Sequence, residues 1–510
     1  MERQNISMTK TAEKHVIVVG GGIGGLTSAS LLAASGYRVT LLEKNEKLGG
    51  KLQPITLGDY QFDFGPSTIT MPWVFKRIFE WCQEPMDTEL SFVQLDINSR
   101  NHFSDGSILD LSANADHMEE QLRDFSTHDR HGFQKFLAET GNIQAIAEDQ
   151  FFRRPFSHWN DFISPTLAAA MLRVHPFQSM DSFHRNYFRD PRLLMMMNRY
   201  ATYVGSHPAL TPATLSMIAY VELVKGVYYI PGGNYRLIEA LERLAKRLGV
   251  QIVCNVEVNN IVQQNQTVTG VELVNGERIK ADALISNVDV NLTKKWLRQS
   301  PAVKNSDLSI SGFLTLAGAA QHYPHLQHHN LFFPANYDQE FTDLFKRRIW
   351  PVDPTIYVCF SGASEPNRAP KGSNLYILTN VPALSDQEFN ESGIVLERTE
   401  SYRKKILETL LEKKFGLGKL NQSLEFVRTF TPVDIMNNTG STRGALYGKV
   451  SHGVKSTFLR PPVKDRTIRG LYYAGGTVHP GGGTPMVALS GAFAATALVR
   501  DHKSTSLFHL

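Results

Sequence analysis

The spacing of apolar residues changes period within the first fifty positions of the chain. A β-branched run from Val16 to Val19 predicts a buried strand. Ala29 and Leu32 then follow at helical spacing, and a second apolar run over residues 38–42 ends at Glu43. This order predicts a strand, a tight turn, a helix and a second strand.

The same spacing places further elements along the chain. An alternating strand over 59–67 ends in a Gly-Pro turn, and helices are predicted over 73–83 and 235–248. Residues 252–261 form a strand, 267–285 a meander, and 310–430 alternate strands with helices. The part from 114 to 226 is mainly helical and carries many large apolar side chains, namely Phe151, Phe152, Phe156, Phe162, Leu172, Phe177, Phe188 and Leu193 to Met197.

Such a helical part usually forms ordinary core, but taken together these side chains suit another role. They could line a tunnel for a long apolar ligand, and an exposed helical patch can rest in a bilayer interface. We therefore predict that this part is the substrate and membrane lobe. No apolar run reaches the length that a membrane span requires, so we expect any membrane contact to be peripheral.

Composition limits the partners and the cellular compartment that the protein can have. The 510 residues have a net charge of +4 with acids and bases well mixed, which argues against nucleic acid as a partner and permits contact with anionic lipid. Three widely spaced cysteines, Cys82, Cys254 and Cys359, argue against a disulfide framework and fit a reducing cytoplasm. The sequence does not indicate whether the protein is a monomer or an oligomer.

The turn after the first strand is rich in glycine. Gly20, Gly22 and Gly25 occupy the three places of the G-x-G-x-x-G pattern, which serve the turn, close approach to a pyrophosphate and packing of the helix. Glu43 stands 18 residues after Gly25, where a carboxylate can accept hydrogen bonds from a ribose. The pattern predicts a dinucleotide site for FAD or NAD rather than NADP.

Two other stretches favour FAD over NAD. Leu48 to Lys51 form a Gly-Gly-Lys turn of the kind that continues the fingerprint in many FAD enzymes. Near the end of the chain, an apolar strand at 471–474 leads through a glycine-rich loop into a helix of small residues, 488–500. The N-terminus of that helix could stabilise negative charge on a reduced flavin.

Four histidines, His322, His325, His328 and His329, could in principle bind a metal. Pro324 would interrupt a helix there, and no cysteine or carboxylate lies within the group. We therefore predict no metal site.

The chain resembles the bacterial-type phytoene desaturases, a carotenoid branch of the amine-oxidase-like flavoproteins. The resemblance covers nearly the whole chain and rests on GGGIGG, EKNEKLGGK, FDFGPS, YIPGGNYRLIEAL and, most specifically, AGGTVHPGGGTPMVALSG at 474–491. It implies an α/β fold with a Rossmann-like FAD-binding domain, a mixed-sheet substrate domain and a helical lobe. The FAD contacts that it implies are Gly20, Gly22, Gly24, Gly25, Glu43, Lys44, Gly50, Lys51, Gly65, Ser67, Val258, Gly475, Gly476, Met486 and Val487.

The resemblance also implies a long apolar carotenoid substrate. The form HPGGGTPMV at 479–487, together with 327–333 and 352–357, looks most like the branch that oxidises the terminal methyl group of linear C30 carotenoids. The alternatives are a carotenoid desaturase, a carotenoid isomerase, an amine oxidase and a lipid-binding protein without flavin. His479 is the candidate catalytic residue; its alternative role is to hold the glycine loop in shape.

These predictions divide the chain into consecutive parts. A flexible tail, 1–14, precedes the FAD-binding domain, which is assembled from 15–112, 227–300 and a closing segment, 431–510. The helical lobe takes 113–226 and the substrate domain 301–430. The expected location is the cytoplasm, at the inner face of the cell membrane.

Overall fold

The computed structural model describes residues 14–153, 165–299 and 303–502. Most of the predicted tail lies outside the described residues, and so do Phe156 and Phe162. The strands are β1 (His15–Val19), β2 (Arg38–Leu42), β3 (Gln53–Leu57), β4 (Tyr60–Phe64), β5 (Val93–Gln94), β6 (Ser99–His102), β7 (Ile108–Leu111), β8 (Tyr228–Tyr229), β9 (Gln251–Val253), β10 (Val258–Gln264), β11 (Thr267–Leu273), β12 (Arg278–Lys280), β13 (Ala283–Ser286), β14 (Ile310–Ala319), β15 (His329–Phe332), β16 (Ile356–Phe360), β17 (Ser373–Pro382), β18 (Leu424–Phe430) and β19 (Leu471–Tyr473).

Helices of different lengths connect and cover these strands. They are α1 (Ile23–Ala34), α2 (Pro72–Trp81), α3 (Ala115–Phe125), α4 (Thr127–Gln150), α5 (Pro165–Arg173), α6 (Met180–His184), α7 (Pro191–Asn198), α8 (Met217–Tyr220), α9 (Arg236–Arg247), α10 (Val290–Trp296), α11 (Tyr337–Phe341), α12 (Asp386–Asn390), α13 (Gly393–Lys404), α14 (Pro432–Thr439), α15 (Gly453–Phe458) and α16 (Thr484–Asp501). Within the described residues, no helix is long and apolar enough to span a bilayer.

A parallel sheet with strand order β19-β13-β1-β2-β9 forms the centre of the nucleotide-binding part. Every residue of β1 is buried, as the β-branched run predicts for a strand covered on both faces. The strands come from three separate stretches of the chain, so the first and last strands of the described fold, β1 and β19, lie in one sheet. In open sheets of this kind, ligands bind beyond the carboxyl ends of the strands.

The helices α1 and α16 pack against each other beside this sheet, and α9 packs on α1. Their small residues allow the two backbones to approach closely: a Cβ added at Gly491 would lie 2.3 Å from the carbonyl oxygen of Gly24. This contact joins the glycine motif near the start of the chain to the glycine-rich loop near its end.

A second, mixed sheet has the order β18-β14-β17-β16-β15-β6-β7. All ten residues of β14 are buried, because both faces of the sheet are covered. The structure corrects two predicted assignments here. The strands β6 and β7 belong to this sheet, although the predicted boundaries put them in the FAD-binding domain, and the single strand predicted over 252–261 is β9 and β10 in two different sheets.

The helical part packs into one apolar core with residues from β15 and α11 of the neighbouring sheet domain. Leu193, Met196 and Met197 are buried in this core, whereas Phe177 is 83% exposed and Leu172 is 77% exposed. Most of the large apolar side chains therefore have a structural role, and a few lie on the surface. The whole arrangement is the predicted α/β architecture with a mixed-sheet domain and a helical lobe.

Candidate active site

A cavity of about 460 Å³ lies between the parallel sheet and the mixed sheet. Its walls include the ends of β1 and β2, the first residues of α1 and α16, and residues of β14, β15, β16 and β17. The predicted cofactor residues that line it are Gly20, Gly22, Glu43, Lys44, Gly50, Lys51, Gly65, Ser67, Val258, Gly475, Gly476 and Val487. The fold thus brings residues more than 400 positions apart to one site.

The first glycine turn creates a site for phosphate. Gly20 has a φ of +98° and its N–H donates to the Leu42 carbonyl oxygen at 2.8 Å, which ties the turn to β2. Helix α1 begins after Gly22 without a side-chain cap and without an acidic residue in its first turn. Its first N–H groups therefore remain available for an anion. Gly50 faces Gly22 across this end of the cavity, since a Cβ on Gly50 would lie 3.4 Å from the Gly22 Cα.

The Glu43 carboxylate is buried beside this turn. Its Oε2 accepts a hydrogen bond from the Gly21 N–H at 2.7 Å, and Oε1 accepts one from the Asn45 N–H at 2.9 Å. Oε1 also accepts a hydrogen bond from the Asn45 side-chain amide at 2.9 Å. Among the described residues Oε2 has a single donor, so a ribose hydroxyl can still donate to Oε2. Val258 lines the same end of the cavity, and the Lys44 Nζ donates to the Asn437 carbonyl oxygen at 2.9 Å.

The second glycine-rich loop leads into α16. Gly483 precedes this helix with a φ of +100° and provides no side-chain cap, and Thr484 and Val487 of its first turn line the cavity. The helix N-terminus therefore faces the cavity with free N–H groups and a partial positive charge, which would stabilise negative charge on a bound ring. The N–H of Gly475 donates to the Ser490 hydroxyl at 3.1 Å and holds the loop on α16.

Lys51 and Ser67 line the part of the cavity between these two helices. The Lys51 Nζ donates to the Leu446 carbonyl oxygen at 2.6 Å; desolvation lowers the pKa of Lys51, and the Asp289 carboxylate opposes that shift. The Ser67 hydroxyl shares a 2.6 Å hydrogen bond with the hydroxyl of Tyr357, which also bonds to His329 Nδ1 at 2.7 Å.

Four of the predicted residues do not line the cavity. Gly24 and Gly25 pack helix α1 against its surroundings, because a Cβ on Gly24 would lie 3.1 Å from the Val487 carbonyl oxygen and one on Gly25 2.0 Å from that of Gly20. Met486 is half-buried and packs on the core around α1 and α16.

His479 also lies behind the loop rather than in the cavity lining. Its ring is buried and stacks on Phe493 with centroids 5.5 Å apart, and its backbone N–H donates to the Pro461 carbonyl oxygen at 2.9 Å. This position favours the alternative role of holding the glycine loop in shape, and the catalytic role stays a prediction.

Sequence reasoning missed a group of polar residues at the mixed-sheet end of the cavity. Arg199 and Tyr203 come from a short 3₁₀ helix, Arg199–Val204, while Tyr337 and Thr355 come from the substrate domain. The run Asn198-Arg199-Tyr200 was a signal that could have been used, since an arginine between apolar helical segments is rarely buried without a reason.

Two of the four histidines singled out in the sequence, His328 and His329, lie side by side in the structure. His328 and His329 lie with Cys359 so that their ligand atoms are within 4.8 Å of one another, a combination that spacing along the chain does not indicate. His328 Nδ1 bonds to the Ser364 hydroxyl at 2.8 Å, and the nearby Arg368 guanidinium adds to the desolvation that lowers the pKa of His328 to about 3. The same positive charge would repel a cation, so we assign no metal to this cluster.

A family model described as flavin containing amine oxidoreductase matches residues 23–499 of the chain. The chain belongs to the flavin-containing amine oxidoreductases. This membership and the geometry of the cavity agree: two uncapped helix N-termini, a buried acid for ribose and facing glycines are what a dinucleotide with a flavin ring requires. The protein is an FAD-dependent oxidoreductase, and the α/β fold class is confirmed.

Two curated relatives match nearly the full length of this flavin-containing amine oxidoreductase. The 4,4'-diapolycopene oxygenase of Methylomonas sp is 33% identical over 97% of this chain and 100% of its own. The 4,4'-diaponeurosporene oxygenase of Staphylococcus aureus (strain MRSA252) is 34% identical over 94% of this chain and 96% of its own.

Solved structures show the same fold at low sequence identity. A putrescine oxidase with bound putrescine has a TM-score of 0.62 at 13% identity and covers 96% of this chain and 99% of its own. A fatty acid isomerase from P. acnes has a TM-score of 0.59 at 14% identity, with the same coverage of both chains.

The Glu340 carboxyl, adjacent to the cavity-lining Thr355, predicts a pH effect on the stability of this oxidoreductase. Desolvation raises the pKa of Glu340 to about 7, although the Thr355 hydroxyl and N–H both donate to its Oε2. The folded state therefore favours the protonated form, and stability from this group is present below its ordinary pKa and lost as pH rises through 7. We expect Glu340→Gln to raise the free energy of unfolding by up to about 3 kcal/mol above pH 8 and to leave it unchanged near pH 4.5.

Thermal unfolding of the Glu340→Gln variant and the wild type between about pH 5 and pH 8.5 measures this difference. Glu397→Gln on α13, where the carboxylate is exposed, is the matched control. A stability difference that does not change with pH would show that Glu340 is not protonated by burial.

Proposed function

We propose that the protein oxidises a terminal methyl group of a linear C30 carotenoid to an aldehyde. The relatives named as diapolycopene and diaponeurosporene oxygenases, similar along nearly their whole lengths, carry this proposal. The overall change, R–CH3 + O2 → R–CHO + H2O, balances with dioxygen as oxidant and as oxygen source.

The cavity wall on the mixed sheet suits such a substrate. Leu314 and Leu378 line the cavity from the adjacent strands β14 and β17, and Leu331 lines it from β15 of the same sheet. Ile435 and Leu446 add to this apolar surface. A polyene chain gains free energy from contact with this surface and from the exclusion of water. FAD, when bound, would accept a pair of electrons from the substrate carbon. The apolar wall would hold that carbon in position, and the N-terminus of α16 would stabilise negative charge on the cofactor.

To test this function, the chain is expressed in cells that make different linear carotenoids, and the mass of each pigment is measured. We expect gain of one oxygen and loss of two hydrogens for each oxidised end, with the label appearing in the pigment under ¹⁸O₂. Loss of hydrogens without oxygen would establish the desaturase instead, and an unchanged mass with altered retention would establish the isomerase. Protein that purifies without flavin would contradict both oxidations.

Amine oxidation is a second candidate, because the fold brings two tyrosines together in the cavity lining. The rings of Tyr357 and Tyr376 have centroids 6.2 Å apart at an interplanar angle of 75°, and aromatic faces attract cationic amines. Hydrogen peroxide release on addition of putrescine and larger amines tests this function. We expect none, since the leucine and isoleucine side chains on the mixed-sheet wall of the cavity disfavour a charged amine.

The proposed substrate dissolves in lipid rather than water, so the substrate has to be taken up from a membrane at the inner face of the cell. Leu172 and Phe177 are the most exposed large apolar side chains of the described surface, and Arg173 between them is exposed as well. Apolar side chains with a cation fit an interface that contains anionic lipid.

We expect the double variant Leu172→Glu, Phe177→Glu to bind anionic vesicles about 10-fold more weakly, because two apolar contacts are lost and two negative charges are added. Co-sedimentation with vesicles measures the binding. Leu396→Glu, at a residue that is 62% exposed on α13, is the control and should bind as the wild type does. Equal loss in both variants would place the membrane contact elsewhere.

A further inference from the structure

Buried polar atoms without a partner cluster at the mixed-sheet end of the cavity. Among the described residues, these atoms are Arg199 Nε and the Tyr337 hydroxyl, while Glu222 Oε1 lies beside Arg199 but outside the cavity lining. Arg199 is 6% exposed and Tyr337 is 5% exposed, and both line the cavity. An unpaired buried polar group is destabilising, so two donors in one cavity wall indicate that a ligand satisfies them.

The guanidinium of Arg199 is held firmly although it is not fully bonded. Its Nη1 donates to the Tyr203 hydroxyl at 3.1 Å, and its Nη2 lies 3.8 Å from Glu222 Oε2, which also accepts a hydrogen bond from Tyr200. The rings of Tyr200 and Tyr203 each lie 5.1 Å from the guanidinium carbon. The charge of Arg199 is thus balanced by Glu222, while the Nε–H remains as a fixed donor.

The hydroxyl of Tyr337 is a second donor in the same region. Desolvation, with the nearby Glu340 carboxyl, raises the pKa of Tyr337 well above its ordinary value, so the phenol keeps its proton. The positive charge of Arg199 opposes this rise in the pKa of Tyr337, so the Arg199 and Tyr337 side chains lie near each other.

This polar group adjoins the turn at Gly65 to Ser67, which includes two of the FAD contacts that the resemblance implies, Gly65 and Ser67. Ser67 bonds to Tyr357, and Tyr203 is among the groups that, after desolvation and Cys359, raise the pKa of Tyr357. The donors therefore lie near the reacting end of the substrate rather than at a distant end of the cavity. A methyl group has no lone pair for them, whereas an alcohol or a carbonyl oxygen has.

We propose that Arg199 and Tyr337 bind the oxygen of a partly oxidised chain end, so that the cavity recognises terminal alcohols and aldehydes of long polyenes in addition to the hydrocarbon. This inference rests on the proposed function. The two residues act as specificity-determining donors: they hold an oxygenated end at the site between the first and second oxidation of one carbon. Premature release of the alcohol is thereby reduced.

The test uses Tyr337→Phe in the flavin-loaded enzyme, with a C30 linear carotenoid, its terminal alcohol and its terminal aldehyde in detergent micelles. We expect the Kd for the aldehyde to rise about 10-fold, because one hydrogen bond to the carbonyl is lost. The long-wavelength absorption band of the aldehyde should shift to the red on binding to the wild type and shift less in the variant. Turnover of the alcohol should fall by about the same factor, whereas binding of the hydrocarbon should not change.

A purely structural role of Tyr337 predicts a different result. Its hydroxyl has no hydrogen-bond partner among the described residues, so Tyr337→Phe should leave the thermal midpoint unchanged or raise it. A fall in aldehyde affinity cannot then be attributed to unfolding. Tyr323→Phe, at a buried tyrosine in another core of the substrate domain, is the matched control and should bind all three ligands as the wild type does.

Arg199 needs a charge-balanced variant, since loss of the arginine alone would leave Glu222 buried without a counter-ion. The double variant Arg199→Met, Glu222→Gln should fold, bind the hydrocarbon and lose the red shift of the aldehyde. Equal aldehyde affinity and equal red shift in this variant, in Tyr337→Phe and in the wild type would overturn the inference. This test can fail independently of the proposed function. Failure of the wild type to oxidise the methyl group would contradict the proposed function alone, because aldehyde binding is measured without turnover.

Discussion

Replacing Gly25 by alanine is expected to yield protein that purifies without flavin. A Cβ at this position would lie 2.0 Å from the carbonyl oxygen of Gly20, whereas real Cβ contacts are essentially never shorter than 3.0 Å. The turn between β1 and α1 must therefore move by about 1 Å, and the N–H groups at the start of α1 would no longer meet the pyrophosphate. We expect FAD affinity to fall at least about 100-fold, because a displacement of this size in a positioned site has that order of effect.

The ratio of flavin absorbance to protein absorbance, followed by titration with FAD, measures the loss. Gly393→Ala is the matched control, since that glycine begins α13 with open space around it and should leave flavin binding unchanged. Far-ultraviolet circular dichroism separates loss of cofactor from loss of fold. A Gly25→Ala protein with native flavin content would show that α1 can shift without disturbing the phosphate site.

Replacing Leu378 by tryptophan is expected to abolish carotenoid oxidation while flavin binding is retained. Leu378 lies on β17 opposite Leu314, lines the cavity, and already contacts Gly312, where a Cβ would come within 2.9 Å of its Cδ1. The larger indole can extend only into the cavity, because the strand backbone behind it is buried in the sheet. We expect turnover to fall about 100-fold, since the polyene would be displaced from the position in which its terminal carbon reacts.

The measurement is product formed per bound flavin, with the hydrocarbon as substrate. Ile108→Trp is the control, because Ile108 lies on β7 of the same mixed sheet and is 49% exposed. Undiminished oxidation by Leu378→Trp would mean that the polyene does not pass along β17, and the substrate path would then have to follow another wall of the cavity.

The nucleotide end of the site follows from local sequence. Gly20, Gly22 and Glu43 all lie within one strand-turn-helix-strand unit, so the spacing along the chain also determines their arrangement in space. The structure places all three on the cavity. The same holds for the loop at 475–487, because the glycines and the helix that follows them are contiguous. His479 lies in the same loop, but the direction of its side chain depends on how the loop packs against Phe493 of α16, which the order of residues does not specify.

The substrate end could not be predicted in this way. Arg199, Tyr337 and Tyr357 come from a 3₁₀ helix, the start of α11 and strand β16, and no periodicity connects them. The sheet to which β6 and β7 belong could not be predicted for the same reason. The strand β6 pairs with β15 more than 200 residues later, and β7 pairs with β6. Pairing between distant strands leaves little trace in either strand alone.

The sequence by itself determined three features: a dinucleotide-binding unit, an acidic residue at the end of its second strand, and a glycine-rich loop before a helix of small residues. Each feature is a contiguous run of residues whose backbone chemistry permits few structures. Only the tertiary structure decided that both helix N-termini face one cavity, that His479 lies behind it and that an arginine and several tyrosines close its other end. The physical reason is that side-chain direction and burial depend on contacts between segments distant in sequence, and those contacts exist only once the sheets have assembled.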